Sequence, residues 1–255
     1  MENKVVLELE NVTTVVNQHT PAEAKILHDF NLKINQGDFI TVVGANGAGK
    51  STLFNTIAGT IIPSSGQIRH IGREINHDSV VKRTKFISRV FQDPKMGTAP
   101  RMTVAENILL ALKRGQHRGL HARGLAAHQS QLEQLTATVG NSLTEHLNTP
   151  TEHLSGGQRQ TLSFLMATLN HPDLLLLDEH TAALDPKTSV KLMAETNRVI
   201  TQQHLTCLMI THHLEDALKY GNRLVVLRDG QVAENISGSA KRTLTKAQLL
   251  DMLVV

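Results

Sequence analysis

Gly44-Ala45-Asn46-Gly47-Ala48-Gly49-Lys50-Ser51-Thr52 is the stretch whose reading decides the fold. It fits the pattern G-x-x-x-x-G-K-[ST], in which glycines let successive backbone N–H groups converge on phosphate oxygens. The apolar, β-prone run Phe39-Ile40-Thr41-Val42-Val43 leads in, and Lys50 to Ala58 leads out as a helix. A helix starting there adds the positive end of its dipole to the cradle. Gly44, Asn46, Gly47, Ala48, Gly49, Lys50, Ser51 and Thr52 are therefore the candidate nucleotide-binding residues. Lys50 is placed to reach the β- and γ-phosphates, and the Ser51 hydroxyl to ligate Mg²⁺.

Two further stretches narrow the chemistry. Leu174-Leu175-Leu176-Leu177-Asp178-Glu179 reads as a buried strand ending in two carboxylates. In that position Asp178 holds Mg²⁺, directly or through water, and Glu179 orients and polarises an attacking water. In Leu154-Ser155-Gly156-Gly157-Gln158-Arg159-Gln160 a serine and two glycines open a helix, so Ser155, Gly156, Gly157 and Gln158 make a second anion cradle. One chain thus carries two phosphate-binding helix starts but a single lysine-bearing loop. A head-to-tail pair of copies, each closing its cradle on the γ-phosphate held by the other, is the simplest account.

Outward from these motifs the chain alternates strand and helix. Residues 5 to 12 and Ile26 to Ile34 read as strands around a polar loop at Asn17 to Glu23, and Gln67 to Ile75 as a short strand and turn. Lys85 to Phe91 is a strand, and Val104 to Leu112 a helix capped by Thr103. Lys113 to Gly124 is rich in Gly, Arg and His but holds no aromatic to stack bases, so it reads as a solvated loop rather than a nucleic-acid patch. A polar helix runs on to about Gly140, followed by helices over Ser155 to Leu169 and Pro186 to Gln203, and a strand over Leu205 to Thr211. Arg223 to Leu227 and Gln231 to Ile236 flank Asp229-Gly230, a hairpin signal, and Thr245 to Leu253 is a short helix.

Composition bounds the rest. The 255 residues carry a net charge of +3, permitting contact with an anionic surface without demanding one. The sequence contains no apolar run long enough to span a membrane, and Met1-Glu2-Asn3-Lys4 lacks the pattern of a secretory leader. Cys207 is the single cysteine, which excludes an intrachain disulfide and fits a reducing setting. The fourteen histidines are scattered without zinc-ligand spacing.

The Leu154–Gln160 stretch resembles the signature motif of the ATP-binding cassette (ABC) ATPases, and the other two motifs agree with it in order and approximate spacing. The resemblance covers nearly the whole chain. It implies an α/β fold of the P-loop NTPase type: a mostly parallel sheet core with an antiparallel β subdomain, and a helical subdomain at 93–148 inserted within a single domain spanning 1–255. It implies ATP and Mg²⁺ as cofactors, with Glu179 as the catalytic carboxylate. Gln92 looks like the glutamine that touches Mg²⁺ and the attacking water, and His212 like the histidine that contacts the γ-phosphate. Asp185, in Ala183-Leu184-Asp185, looks like the residue that crosses the dimer interface; His213 reads as structural. The implied partners are a second copy, separate transmembrane permease subunits and an extracytoplasmic substrate-binding protein, with this chain on the cytoplasmic face of the membrane. Asp178 to Thr188, Val90 to Pro94 and Gly97 to Pro100 resemble a bacterial importer subgroup, some members of which look linked to uptake of aromatic amino acids. Two positions depart from the family: Val16 stands where an aromatic usually stacks on adenine, and His180 where proline is common. The rival readings are a soluble ABC ATPase acting on a cytosolic assembly, and a P-loop kinase or GTPase. A GTPase would want an Asn-Lys-x-Asp motif that this chain lacks.

Overall fold

The leucine- and valine-rich runs become the strands of a six-stranded sheet, as expected for segments buried on both faces. The computed structural model describes residues 4–116, 124–140 and 142–254. In chain order it contains β1 (Val5–Val16), β2 (Ala24–Asn35), β3 (Phe39–Gly44), α1 (Lys50–Ala58), β4 (Ser65–His70), β5 (Arg73–Glu74), α2 (Val80–Arg83), β6 (Ile87–Val90) and α3 (Val104–Leu112). There follow α4 (Gln129–Ala137), α5 (Gly156–Thr168), β7 (Leu174–Asp178), α6 (Pro186–Gln202), β8 (Cys207–Ile210) and α7 (Leu214–Lys219). The hairpin β9 (Arg223–Arg228) and β10 (Gln231–Ser237), then α8 (Gly238–Thr243) and α9 (Lys246–Val254), complete the order.

The larger sheet runs β10-β9-β3-β8-β7-β6, parallel except for β10; the smaller is antiparallel, in the order β2-β1-β4-β5. Strand alternation sorts the core. Ile40, Val42, Leu174, Leu176, Leu208 and Ile210 face α1 and the smaller sheet, packing on Leu53, Phe54 and Ile57. Phe39, Leu175, Leu177, Cys207 and Met209 face the other way, onto α3, α5 and α6. Each leucine so buried contributes roughly 1.5–3 kcal/mol of hydrophobic stabilisation.

α1 and α3 occupy the residues expected of them. α3 begins with a reciprocal cap, Thr103 Oγ1 accepting from Glu106 N and Glu106 Oε2 from Thr103 N, which fixes its first turn. The Asp229-Gly230 turn has positive φ at both residues, 45° and 72°, as a two-residue hairpin of the right twist requires. Its tip is wedged, because a Cβ on Gly230 would lie 1.9 Å from Ile26 O. Gly230 N donates to Ala48 O at 3.2 Å, and His28 N donates to Gly230 O at 3.1 Å.

The structure also differs from the expectations. α2, α7 and α8 were not legible, being one or two turns long. β1 extends to Val16 because its outer half pairs with Ala24–Leu27 of β2. α4 stops at Ala137, and β4 begins at Ser65, earlier than the Gly-Gln boundary implied. Within the expected solvated loop, residues 117–123 lie outside the described residues, and Arg114 is drawn inward. Its Nη1 donates to Ser88 Oγ at 2.6 Å and its Nη2 to Met166 O, and burial pushes its guanidinium below the usual arginine range.

Arg83 is 1% exposed and ties α1 to the segment 75–78. Nη1 donates to Thr56 O (2.8 Å) and Ile57 O (2.7 Å), Nη2 to Ile75 O (2.6 Å) and Asn76 O (3.1 Å), and Nε to Asp78 O (3.2 Å). A cation on the last carbonyls of a helix opposes the negative end of its dipole.

Candidate active site

The site lies at the carboxyl ends of the parallel strands, where open α/β sheets present their loops. β3 delivers the glycine loop, and α1 starts on Gly49 at φ 100°, a left-handed conformation that glycine adopts without steric cost. Ala45, Asn46, Gly47 and Ser51 are exposed, whereas Ala48, Gly49 and Lys50 are buried. Lys50 Nζ folds back onto Gly44 O (2.7 Å) and Ala45 O (2.9 Å). Burial lowers its pKa, and the charge of Glu179 partly restores it. Those two carbonyls hold the ammonium at the mouth of the loop, where an anion would replace them.

β7 delivers Asp178 and Glu179. Glu179 sits at φ 46°, a conformation that costs a non-glycine residue about 1–3 kcal/mol and is characteristic of working positions. Its N–H donates to Ile210 O at 3.1 Å, anchoring it to β8. The carboxylate is held from both sides: His212 Nε2 lies 2.6 Å from Oε1, and Gln92 Nε2 donates to Oε2 at 3.2 Å. Asp178 Oδ2 accepts from Arg89 Nη2 at 2.6 Å. Lys50, Gln92, Asp178, Glu179 and His212 are thus brought to one end of the sheet by β3, β6, β7 and β8.

Ser155 caps α5, its Oγ accepting from Gln158 N at 3.2 Å while Gln158 Oε1 accepts from Ser155 N at 3.0 Å. The cap therefore occupies Gln158 N, and the N–H groups of Gly156 and Gly157, at the helix start, have no intrahelical acceptor, which is what an anion cradle requires. Gly156 is exposed and its missing Cβ would meet Leu184 at 3.8 Å, so this helix start adjoins the Ala183–Asp185 segment. Asp185 caps α6, with Oδ1 accepting from Thr188 N at 3.0 Å; that bond to Thr188 pulls its pKa down. Thr52 is half-buried in α1, and Val16, ending β1, is half-buried beside Ala24.

His180, which stands where the family commonly has proline, is a packed interior residue. It is 2% exposed, its Nε2 is 3.1 Å from Thr196 Oγ1 on α6, and its ring faces Phe164 of α5 at 6.5 Å. Burial pushes its pKa down to about 4, so it is neutral near pH 7. His213 precedes α7 as its N-cap residue. Sequence reading passed over Gln160, whose Nε2 donates to Phe91 O at 3.0 Å and fastens α5 to the segment carrying Gln92. It also passed over Arg89, whose one signal is a charge within the otherwise uncharged Phe86–Phe91 run.

Ser51 hydroxyl, Gln92 amide oxygen and Asp178 carboxylate are a sparse, all-oxygen donor set. That suits Mg²⁺, which keeps waters and takes phosphate oxygens for the rest of its shell. Among the described residues no group of three or more His, Cys, Asp or Glu is placed to hold a metal. No helix among them is long and apolar enough to cross a membrane.

Comparison with known proteins identifies the family and the fold. Residues 27–182 match the profile of the ABC transporter family. The tyrosine transport ATP-binding protein of Clostridioides difficile is 43% identical over 226 residues, covering 89% of this chain and 90% of that protein. The spermidine/putrescine import ATP-binding protein of Haemophilus influenzae is 32% identical over 92% of this chain, which spans 59% of that longer relative. A dimeric ATP-binding cassette solved in a post-hydrolysis state, bound to ADP and Pi, superposes with a TM-score of 0.75 at 27% identity, covering 91% of this chain and 98% of that one.

Proposed function

Because this chain belongs to the ABC transporter family, whose members are ATP-hydrolysing transport ATPases, we propose that it is the ATP-driven subunit of an importer and that its solute is an amino acid of the tyrosine class. The observation that carries the catalytic part is the Glu179 carboxylate held between His212 and Gln92, at the strand end beside the Lys50 loop. Glu179 takes the proton of a water as its oxygen bonds to the γ-phosphorus and the bond to the β-bridging oxygen breaks, leaving ADP and phosphate. His212 and Gln92 hold the carboxylate and the water in line; Lys50 leaves its two carbonyls for the β- and γ-phosphates. Ser51, Gln92 and Asp178 would hold Mg²⁺, which would supply charge neutralisation for the phosphates.

Two copies pair head to tail, so that Gly156 and Gly157 of one meet the γ-phosphate held by the other, with Asp185 at the seam. The dimeric cassette to which the fold is similar supports this pairing. The elements between 93 and 148 form the helical subdomain. Phe91, Met96, Leu110 and Met166 line an open groove next to Gln92 in which a permease segment docks. The chain works at the cytoplasmic face of the membrane, served by an extracytoplasmic binding protein. The solute assignment rests on the 43% identical relative, which bears the name tyrosine transport ATP-binding protein.

The test is a tagged pull-down from detergent-solubilised native membranes, with identification of the recovered proteins. A polytopic permease in near-equal amount is expected, and its binding protein would then be screened against amino acids. Recovery only from the soluble fraction, attached to a cytosolic assembly, would overturn the transport reading in favour of a soluble ABC ATPase.

A further inference from the structure

We propose that Arg89 is a built-in counter-ion for Asp178: it keeps that carboxylate compensated and aimed while nucleotide is away, and thereby weakens the site's hold on Mg²⁺. The inference rests on the reading of Asp178 as a metal-holding residue. Alternation along β6 puts Ile87 and Arg89 on the face toward α1, where the neighbours are Phe54, Leu176 and Ile210. A charge is retained on such a face only where it is paired.

The pairing is specific. Side-chain exposures are 14% for Arg89 and 13% for Asp178, and Nη2 donates to Oδ2 at 2.6 Å. Nη1 donates to Asn55 Oδ1 at 2.7 Å, on the helix that carries Lys50 and Ser51. The guanidinium carbon lies 4.8 Å from the Phe91 ring centroid and 5.9 Å from that of Phe54. Nε is buried and, among the described residues, has no acceptor. An orphaned buried donor is a standing cost that a neutral side chain of similar length would not carry, so what the position retains is the charge. The planar fork also meets partners on two elements at once, which an ammonium does less well.

With Oδ2 engaged, Oδ1 remains for the ion's water shell. In the nucleotide-free protein Arg89 offsets a carboxylate that would otherwise stand uncompensated in a half-buried site. When Mg²⁺ arrives, the same cation opposes it through one intervening carboxylate. A unit charge in that relation to a divalent ion shifts affinity by roughly threefold to tenfold in screened surroundings.

The experiment titrates Mg²⁺ against a fixed concentration of a fluorescent ATP analogue, reading nucleotide binding rather than turnover. Arg89→Gln keeps a donor toward Asp178 without the charge; Arg89→Lys keeps the charge without the fork. The Mg²⁺ midpoint of Arg89→Gln is expected to fall roughly threefold to tenfold, with Arg89→Lys staying close to wild type. The nucleotide-free melting temperature of Arg89→Gln is expected to drop, and its gain on adding Mg²⁺ to ATP to exceed the wild-type gain. If Arg89→Gln misfolds, Arg89→Met is read the same way. An unchanged or raised Mg²⁺ midpoint in a folded neutral variant overturns the proposal. If Mg²⁺ has no effect on nucleotide binding by the wild-type protein, the metal reading itself fails, and the proposal with it.

Discussion

Replacing Arg83 by methionine tests how the nucleotide-binding helix is anchored. The side chain is 1% exposed and its donors reach five carbonyls, two of them on the last turn of α1. Hydrogen bonds from a charged donor are worth about 1.5–3 kcal/mol each, but burying a guanidinium costs several kcal/mol, so the gross sum is not the net effect. The pulled-down pKa of Arg83, caused first by burial, is the mark of that cost. Methionine removes both the cost and the bonds, and leaves stranded carbonyls at the end of α1 and along 75–78. The net destabilisation is expected at about 3–5 kcal/mol, the range for breaking a buried polar network. For a chain of this size that is a fall in melting temperature of roughly 10 °C. Lysine has three donors on one nitrogen and should give an intermediate loss. Thermal unfolding followed by far-UV circular dichroism, with and without ATP, reads both variants. A midpoint for Arg83→Met within about 2 °C of wild type, less than 1 kcal/mol's worth, would refute the argument that the five bonds outweigh desolvation.

His180 has its pKa lowered in the folded state to about 4, so the unfolded chain takes up the proton first, and stability present above about pH 6.5 is lost as pH falls toward 4. The loss attributable to this residue is about 3 kcal/mol, and urea midpoints between pH 7 and 4.5 should fall less steeply for His180→Asn; equal slopes would remove it from the acid limb. Glu179→Gln keeps the shape of the carboxylate but cannot take a proton, so turnover should drop roughly 10²- to 10⁴-fold while ATP binding persists and dimer accumulates on a sizing column. Wild-type turnover in that variant would exclude Glu179 as the base. Ser155→Arg should abolish turnover without changing ATP affinity of the isolated chain, and unaltered ATPase activity would count against the shared site. Gly230→Val places side-chain atoms against Ile26 O, so nucleotide affinity should fall although the residue is in the turn of β9–β10; an unaltered ATP titration would show that the turn does not shape the loop.

Legibility in the sequence followed the range of the forces involved. α1 and α3 could be read because their signals are local: the glycine before Lys50, and the Thr103–Glu106 exchange. β7 and β8 could be read because burial on both faces leaves an unbroken apolar run. The cluster around Glu179 was legible as a set of residue types, since each motif carries its own chemistry, but its hydrogen bonds were not: Gln92 and Glu179 are 87 residues apart. Arg83 and Arg89 were missed for the same reason, and His180, though marked as a departure from the family, showed nothing of its partner on α6. Each is a polar group whose burial is tolerated only because of partners on other elements, and no local pattern announces a partner. Arg114 misled in the opposite sense, its charged neighbourhood concealing a side chain drawn in against Ser88 and Met166.

The wedged tip at Gly230 bears on the order in which this chain becomes competent during synthesis. A ribosome that has released residues 39–58 has produced the entire glycine loop, yet β3 still lacks both neighbours, which come only with Cys207–Ile210 and Arg223–Arg228. The amide that steadies Ala48 comes later still, at Gly230. Contacts of such long sequence separation form slowly, after their loop-closure cost has been met. The glycine loop therefore gains its full set of packing partners only when nearly the last strand of the larger sheet has emerged, so its shape is finished late in synthesis although its sequence is made early.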